Sequence, residues 1–432
     1  MTPIIALCAL TGPSSDMDYL HQVAKEVTLA SRVGPGGEIS NGGKNTTGCA
    51  IRVPGGTQTY YPAFWVRDAA MMLGGDLVPA DEVEGWIKVV AATQPGSSGL
   101  KFDHGLWIPP YSIPDHITLQ GQACWFPGAY ADQGIGNYGF LPPADDAFFF
   151  IQMVHEEFRL TRRKTLLDEQ VGTGWGEHPL GEVCARAFES VAVDRATGLV
   201  VCDADKGKGR VDWGFCDSIV KTGSCLMPSL LRWQAARWLA EMCAAAGRTS
   251  AARTYRASAQ TIQKSIVLTF FKPLDGGEGM LISATGLARK DDVWASAFAV
   301  WLGVLPAKTE NTVSRHLLAI YKAGGTVVEG QVRQIPPTGE FGVSWDKALT
   351  GVGAYQNGGF WATPTGWMIA ALHKVDRAAA NKLLSEFTSH VRAMRDKGAP
   401  FEWINPATNT YRNGNYGSSA GLVYLSLKQA GF

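Results

Sequence analysis

The chain is short of charge. Asp, Glu, Lys and Arg make up 18% of its 432 residues, against roughly 25% in ordinary soluble domains. Its 39 basic and 39 acidic side chains cancel to a formal net charge of zero, and no dense Lys/Arg run occurs. Nucleic acid and anionic membrane are therefore not expected as partners, since both need a basic footprint. Long apolar runs are also missing: Ile4–Leu10 is too short to span a bilayer and lacks the basic flank of a secretion signal. Residues 1–15 read as a disordered stretch or the remnant of a trimmed signal peptide, and the compartment is not legible. The eight cysteines include no CxxC pair, so structural zinc spacing is absent. Most read as small buried hydrophobes, with a Cys202–Cys216 disulfide left open. There is no HExxH and no paired His/carboxylate spacing for a catalytic metal, and no GxGxxG or GxxxxGK[ST] for a nucleotide. A GxSxG nucleophile elbow is missing as well. No metal or cofactor is expected. Oligomeric state is not legible.

What is present is apolar, aromatic and glycine-rich: 46% hydrophobic residues, 14 Trp and 50 Gly. That composition suits a large core topped by long, half-buried loops. Helical periodicity recurs from end to end. It predicts helices over Met17–Ser31, Asp68–Leu73, Asp81–Ala92, Asp145–Thr161, Leu180–Val191 and Leu226–Ala246, then over Ser250–Phe271, Val293–Leu302, Ala307–Lys322, Thr365–Lys374, Arg377–Arg395 and Ser418–Gln429. Asp81 and Asp145 are N-cap types, and Pro228 falls in a first turn, where a missing N–H costs nothing. Strand signal is thin, confined to Thr57–Tyr61, Gly198–Cys202 and Thr326–Val328. About twelve helices make six hairpins, which fit a solenoid or a closed toroid. Very unequal loops favour the toroid. The expectation is an all-α (α/α)6 barrel forming one domain over residues 1–432, with long loops over the cleft.

Those loops (Val33–Phe64, Gln94–Ala144, Ala196–Ser224 and Gln331–Trp361) hold most of the unusual chemistry. Four segments, Tyr60–Asp68, Arg210–Asp217, Tyr355–Trp367 and Pro400–Pro406, interleave aromatics, glycines and acids ahead of helices. A sugar needs that mixture, because its C–H faces stack on rings while its hydroxyl rim needs acids, amides and guanidinium groups. The competing reading makes each Trp core and each Asp a cap. Four such segments in one chain favour a carbohydrate cleft. Candidate binding residues are Trp65, Arg67, Asp68, Trp213, Tyr355, Gln356, Asn357, Trp361 and Trp403. Gly358 and Gly359 would let the backbone approach a ligand. Asp145 and Asp146 open a helix and read first as capping residues. Arg333, Gln334 and Ser344–Asp346 are further candidates for the outer part of the cleft.

The segment Phe64-Trp-Val-Arg-Asp-Ala-Ala70 resembles the (W)xRD segment of the six-hairpin glycosidases, the superfamily of glucoamylases, trehalases and family 63 glucosidases. Leu226–Phe271 resembles the helical hairpin that follows the acid-bearing loop there and in α-L-rhamnosidases. Phe401-Glu-Trp-Ile-Asn-Pro-Ala-Thr with Gly414-Asn-Tyr-Gly-Ser-Ser-Ala-Gly421 is similar to a late segment of family 63 and its relatives. The resemblance covers roughly residues 60 to 430. It implies that Arg67 and Asp68 bind hydroxyls of the terminal sugar and that Glu402 is a general base. It also implies a general acid near Trp213–Gly214–Phe215, where the register departs from the trehalase-like pattern. Both Asp212, the first choice because it adjoins Trp213, and Asp217 are carried. The expected chemistry is inverting hydrolysis of a glycoside by two carboxyls about 6.5–9.5 Å apart, exo-acting on an α-linked oligosaccharide by analogy with the superfamily. A phosphorylase, lyase or epimerase on the same toroid is the alternative, and a non-catalytic carbohydrate-binding or scaffold protein a further one.

Overall fold

The computed structural model describes residues 15–55, 61–102, 107–125, 144–202, 216–337 and 344–432. Among them twelve α-helices form: α1 (Asp16–Ala30), α2 (Val66–Met71), α3 (Ala80–Ala92), α4 (Asp146–Thr161), α5 (Leu180–Ser190), α6 (Leu226–Ala245), α7 (Thr249–Phe270), α8 (Val293–Leu302), α9 (Ala307–Ala323), α10 (Thr365–His373), α11 (Arg377–Met394) and α12 (Gly417–Gln429). Every expected helix is there, its ends moved by a residue or two, as fraying termini allow. Capping differs from expectation. Pro79 takes the N-cap position of α3, leaving Asp81 in the first turn, and Asp145 stands at the N-cap of α4 without capping it.

Two kinds of helix alternate along the chain, and burial tells them apart. In α8 every residue from Val293 to Val300 is buried, and in α10 every residue from Thr365 to Leu372. Helices apolar all round belong inside other helices. By contrast α9 buries Val313, Ser314, Leu317 and Ile320, one stripe at helical spacing. The even-numbered helices pack in cyclic order, α2 on α4, α4 on α6, α6 on α8, α8 on α10, α10 on α12, and α12 back on α2. Odd-numbered helices lie against them: α3 and α5 on α4, α7 on α6, α9 on α8 and α10, α11 on α10, and α1 on α11 and α12. No helix among the described residues is long and apolar enough to cross a membrane.

The loops contain more strand than expected. One antiparallel sheet joins β1 (Ala63–Trp65), β2 (His116–Thr118) and β3 (Ala123–Cys124). A second, five-stranded, joins β4 (Val327–Val328), β5 (Gln331–Arg333), β6 (Phe360–Trp361), β7 (Trp403–Asn405) and β8 (Thr410–Arg412), with Trp361 opposite Trp403. Strands of two or three residues are too short for a period-2 pattern to register. The chain is predominantly helical, as expected, with small sheets in its loops. Of the expected strands, Val201–Cys202 and Val327–Val328 form; Thr57–Tyr60 lies outside the described residues. Cys202 and Cys216 are both free thiols.

Trp294 ties the helical layer to the second sheet. It is fully buried in α8, donates its indole N–H to the Val332 carbonyl of β5 (3.0 Å), and meets Trp361 edge-on at 5.6 Å. Trp294→Ala is expected to lower stability by about 3–5 kcal/mol, measured by urea denaturation; a loss below about 1 kcal/mol would show that the sheet does not depend on this anchor.

Candidate functional site

The late segment places Glu402 just before β7, with its backbone N–H on the carbonyls of Arg412 and Asn413 (3.1 Å each). The side chain points inward and the residue is 1% exposed. Tyr61 approaches its carboxyl oxygens at 3.1 and 3.3 Å, and Asn413 donates its amide to the second oxygen. Tyr355 places its hydroxyl 3.4 Å from Glu402 Oε1 and 3.3 Å from Asp217 Oδ2. Two carboxyls from segments far apart in sequence therefore share one tyrosine. The two contacts laid end to end cap the separation of these oxygens at the lower edge of the roughly 6.5–9.5 Å of an inverting pair, and any bend at the hydroxyl shortens it toward the roughly 5–5.5 Å of a retaining pair.

A phenol carries one proton, so Tyr355 donates to one carboxylate at a time. The second carboxyl must bring its own proton or face an oxygen lone pair. Electrostatics point the same way. Glu402 stands at about 8: burial raises it, the Asn413 and Tyr61 hydrogen bonds pull it partway back, and the charges of Asp68 and Asp217 add to the rise. Burial likewise raises Asp217, opposed by the Arg67 guanidinium and by hydrogen bonds from Gln356 and Tyr355, with Asp115 adding to the rise. Asp68 stands at about 6, raised by burial against hydrogen bonds from Tyr416 and Ser418 and the charge of Arg67. Three carboxyls in one dry pocket do not all ionise at neutral pH.

Asp217 is fixed through its neighbours. Gln334 donates to Cys216 Sγ (2.8 Å), and the N–H and hydroxyl of Ser218 both donate to Gln356 Oε1 (2.9 Å each). Leu349 N–H bonds the Ser218 carbonyl (2.8 Å) and Val220 N–H that of Lys347 (3.0 Å). Gln356 is thus a positioning residue for the Asp217 loop. Tyr355 adopts φ +50°, a left-handed conformation that costs a non-glycine residue on the order of 1–3 kcal/mol. Its carbonyl is held there by the Gly359 N–H (2.9 Å) and the Trp361 indole (3.2 Å).

Beside the pair, the first turn of α2 supplies Arg67 and Asp68. Asp68 accepts from Ser418 at the start of α12 (3.2 Å). Arg67 engages Asp145 through two nitrogens, at 3.0 and 3.3 Å, which is why Asp145 does not cap α4. Asp146, fully buried with neither carboxyl oxygen hydrogen-bonded among the described residues, is pushed well above the carboxylate range by burial and by Asp145. His116 pairs with Asp115 (2.7 Å), which lifts it to about 9 against its burial, and stacks on Trp65 at 4.1 Å.

Of the residues singled out in the sequence, Glu402, Asp217, Arg67, Asp68, Tyr355 and Gln356 come together. Trp65 flanks them, edge-on to Tyr61 at 5.0 Å, and Trp403 lies edge-on to Tyr355 at 6.2 Å. Asp212 and Trp213 lie outside the described residues. Trp361, 5% exposed, supports Tyr355 from the core, and Asn357 donates its amide to the Thr350 carbonyl (2.8 Å). The room left by Gly359 is filled by the Tyr355 carbonyl and Trp403 rather than left for a ligand; an added Cβ would lie 2.4 and 2.8 Å from them. Asp346 pairs with Lys290 (3.1 Å), and Trp345 donates to the Gln356 carbonyl (3.1 Å). Sequence reasoning passed over Tyr61, Asn413 and Tyr416, although all three stood in or beside the quoted segments. Asp115 and His116 gave no signal.

The raised pKa of Glu402 has a consequence for folding. Its folded value lies above the unfolded one, so the stability it contributes is present below about 4.5 and is lost as pH rises through about 8. Glu402→Gln, which cannot ionise, should gain stability relative to the parent across that window and level off above it. Urea denaturation at several pH values measures this, and a constant difference would mean that the carboxyl is not desolvated.

No family model matches the chain, and no curated protein matches it by sequence. Solved structures do match. The family 63 mannosylglycerate hydrolase of Thermus thermophilus superposes with a TM-score of 0.56 at 12% identity, over 94% of this chain and 99% of that one. The glucoamylase of Saccharomycopsis fibuligera gives 0.53 at 14% identity, over 96% of each chain. The family 78 rhamnosidase of a Bacillus species gives 0.50 at 14% identity; the match covers 95% of this chain but 34% of the rhamnosidase. The chain shares its fold with these glycosidases.

Proposed function

We propose that the chain is a glycoside hydrolase built on a closed (α/α)6 toroid, with Asp217 as general acid and Glu402 as general base. The cyclic packing of α2, α4, α6, α8, α10 and α12 supports the toroid. The observation that carries the chemistry is the pair of buried carboxyls sharing the Tyr355 hydroxyl beside Arg67 and Asp68. One carboxyl holds a proton for the departing glycosidic oxygen, while the other, ionised, takes a proton from the attacking water. Proton count is conserved: the acid loses one, the base gains one, and exchange with solvent resets the pair. The sequence-level preference for Asp212 gives way here to Asp217, because Asp217 shares a partner with Glu402. Which carboxyl holds the proton before substrate binds is a property of the pair; the role of base is given to Glu402 by its place in the late segment.

Asp68, Arg67 and Tyr416 are proposed to receive the terminal sugar, an α-linked non-reducing residue removed by exo action with inversion. The low exposure of the site supports a pocket that takes a chain end. A phosphorylase is less well supported, since it needs cations for phosphate, and among the described residues Arg67 and His116, beside the pair, are already matched with Asp145 and Asp115. A lyase or epimerase would make less use of two acids.

Glu402→Gln should lower kcat about a thousandfold with binding retained; near-parental turnover would refute the base. Asp217→Asn should recover activity on a glycosyl fluoride, whose leaving group needs no proton, and failure to do so would place the acid elsewhere. Asp68→Ala should raise KM and depress kcat/KM by at least about a hundredfold; unchanged constants would make it a structural residue. NMR of the first-formed anomer reads inversion against retention.

A further inference from the structure

A cavity rich in aromatic side chains lies away from the carboxyl pair. It has a volume of about 550 Å³, takes none of the carboxyl-pocket residues, and runs along the inner helices toward their later turns. In α2 the site residues Arg67 and Asp68 come first, and the cavity takes Met71 and the following Leu73–Gly75; in α4 Asp146 opens the helix, and the cavity takes His155 and Arg159. Likewise α12 begins beside Asp68 with Ser418 and reaches the cavity with Leu425, Lys428 and Gln429. A void of this size is far outside what close-packed interiors leave by accident and falls within the range of small-molecule sites.

Its lining identifies the class of ligand. Trp238, Trp301, Trp367, Phe149 and Phe298 supply aromatic surface, and Gln152, Gln234 and Gln429 supply amides. Trp238 is braced by the His155 ring, stacked at 5.2 Å, and Trp301 by Phe298 at 5.7 Å and by its N–H on the Ser426 carbonyl (3.3 Å). The charged residues balance: Asp76 and Glu156 against Arg159 and Lys428, with Arg159 bonded to both acids (2.7 and 3.4 Å). An ionic ligand meets no excess of opposite charge, and a purely apolar one would strand the amides and ion pairs away from water. An uncharged ligand with apolar faces and a hydroxyl rim satisfies both. The cavity also shares Gln234, Trp238, Trp301 and Gln429 with an adjoining groove of about 750 Å³ that runs out between α6, α7 and the end of α8, so an extended chain fits better than a single ring.

We infer that this cavity is a second binding site for a neutral oligosaccharide, separate from the carboxyl pocket and independent of the chemistry proposed there. It holds a length of chain by stacking on Trp238 and Trp301 and by hydrogen bonds to Gln234 and Gln429.

Hydrogen exchange of the Glu402→Gln protein, with maltoheptaose, mannohexaose or dodecanoate added at millimolar concentration, tests this. One of the two sugars should slow exchange in residues 227–238 and 422–429. Trp238→Ala and Gln429→Ala, each introduced separately and checked for an unchanged melting temperature, should weaken that protection about tenfold. Protection of the Glu402 loops should stay as it was. The inference is overturned if neither sugar protects these segments, if both variants leave the protection intact, or if dodecanoate alone protects them. Because the readout is local protection, failure of the proposed Glu402 chemistry, read by turnover, stays distinguishable from failure here.

Discussion

Carboxyl groups are costly to bury, and the architecture around Glu402 is organised by that cost. Asp68, Asp217 and Glu402 are raised in proton affinity chiefly by burial, with Asp115 adding to the rise of Asp68 and Asp217, and Asp68 and Asp217 to that of Glu402. A pocket of this kind is tolerable only where hydroxyls, amides and a retained proton share the charge. Tyr61, Tyr355, Tyr416 and Asn413 meet that need, each from a different loop or helix start. The same cost explains the pairs alongside: Arg67 is neutralised by Asp145, and His116 by Asp115.

Holding such a pocket requires rigid support. The even-numbered helices pack on one another in cyclic order, and the starts of α2 and α12 meet where Asp68 accepts from Ser418. The partial positive charge of a helix start favours acids there, and Asp146 lies in the first turn of α4 while Ser418, opening α12, serves Asp68. The five-stranded sheet fixes the remaining pieces. It sets Trp361 against Trp403 and brings Tyr355 and Glu402 into reach. The unfavourable φ of Tyr355 is where the loop's geometry is strained, and its carbonyl contacts over-determine it.

Helices were legible because each carries its own signal. Periodic burial is a property of ten to twenty consecutive residues, so α1 to α12 could be read without knowing their partners. Aromatic-acidic segments were legible for the same reason, and they contained Glu402, Asp217, Asp68 and Tyr355. Other features were not local. The strands β4 to β8 are too short to announce themselves and exist because distant chain segments meet. Asp145 looked like a cap, and became the partner of Arg67 only when α2 and α4 came side by side. Gln356 looked like a sugar ligand, and its amide oxygen proved to be occupied by Ser218. Asn357 donates its amide to the Thr350 carbonyl, and the space beside Gly359 is filled by the Tyr355 carbonyl and Trp403.

The amino-acid order alone therefore determined the helical elements, the absence of charge excess and which segments hold unusual chemistry, since all three depend on neighbours within a few residues. Which acids meet, how much water they lose and which hydroxyl lies between them was decided by tertiary structure. Proton affinity depends on burial and on charges within a few ångströms, and those distances are set by packing between segments hundreds of residues apart.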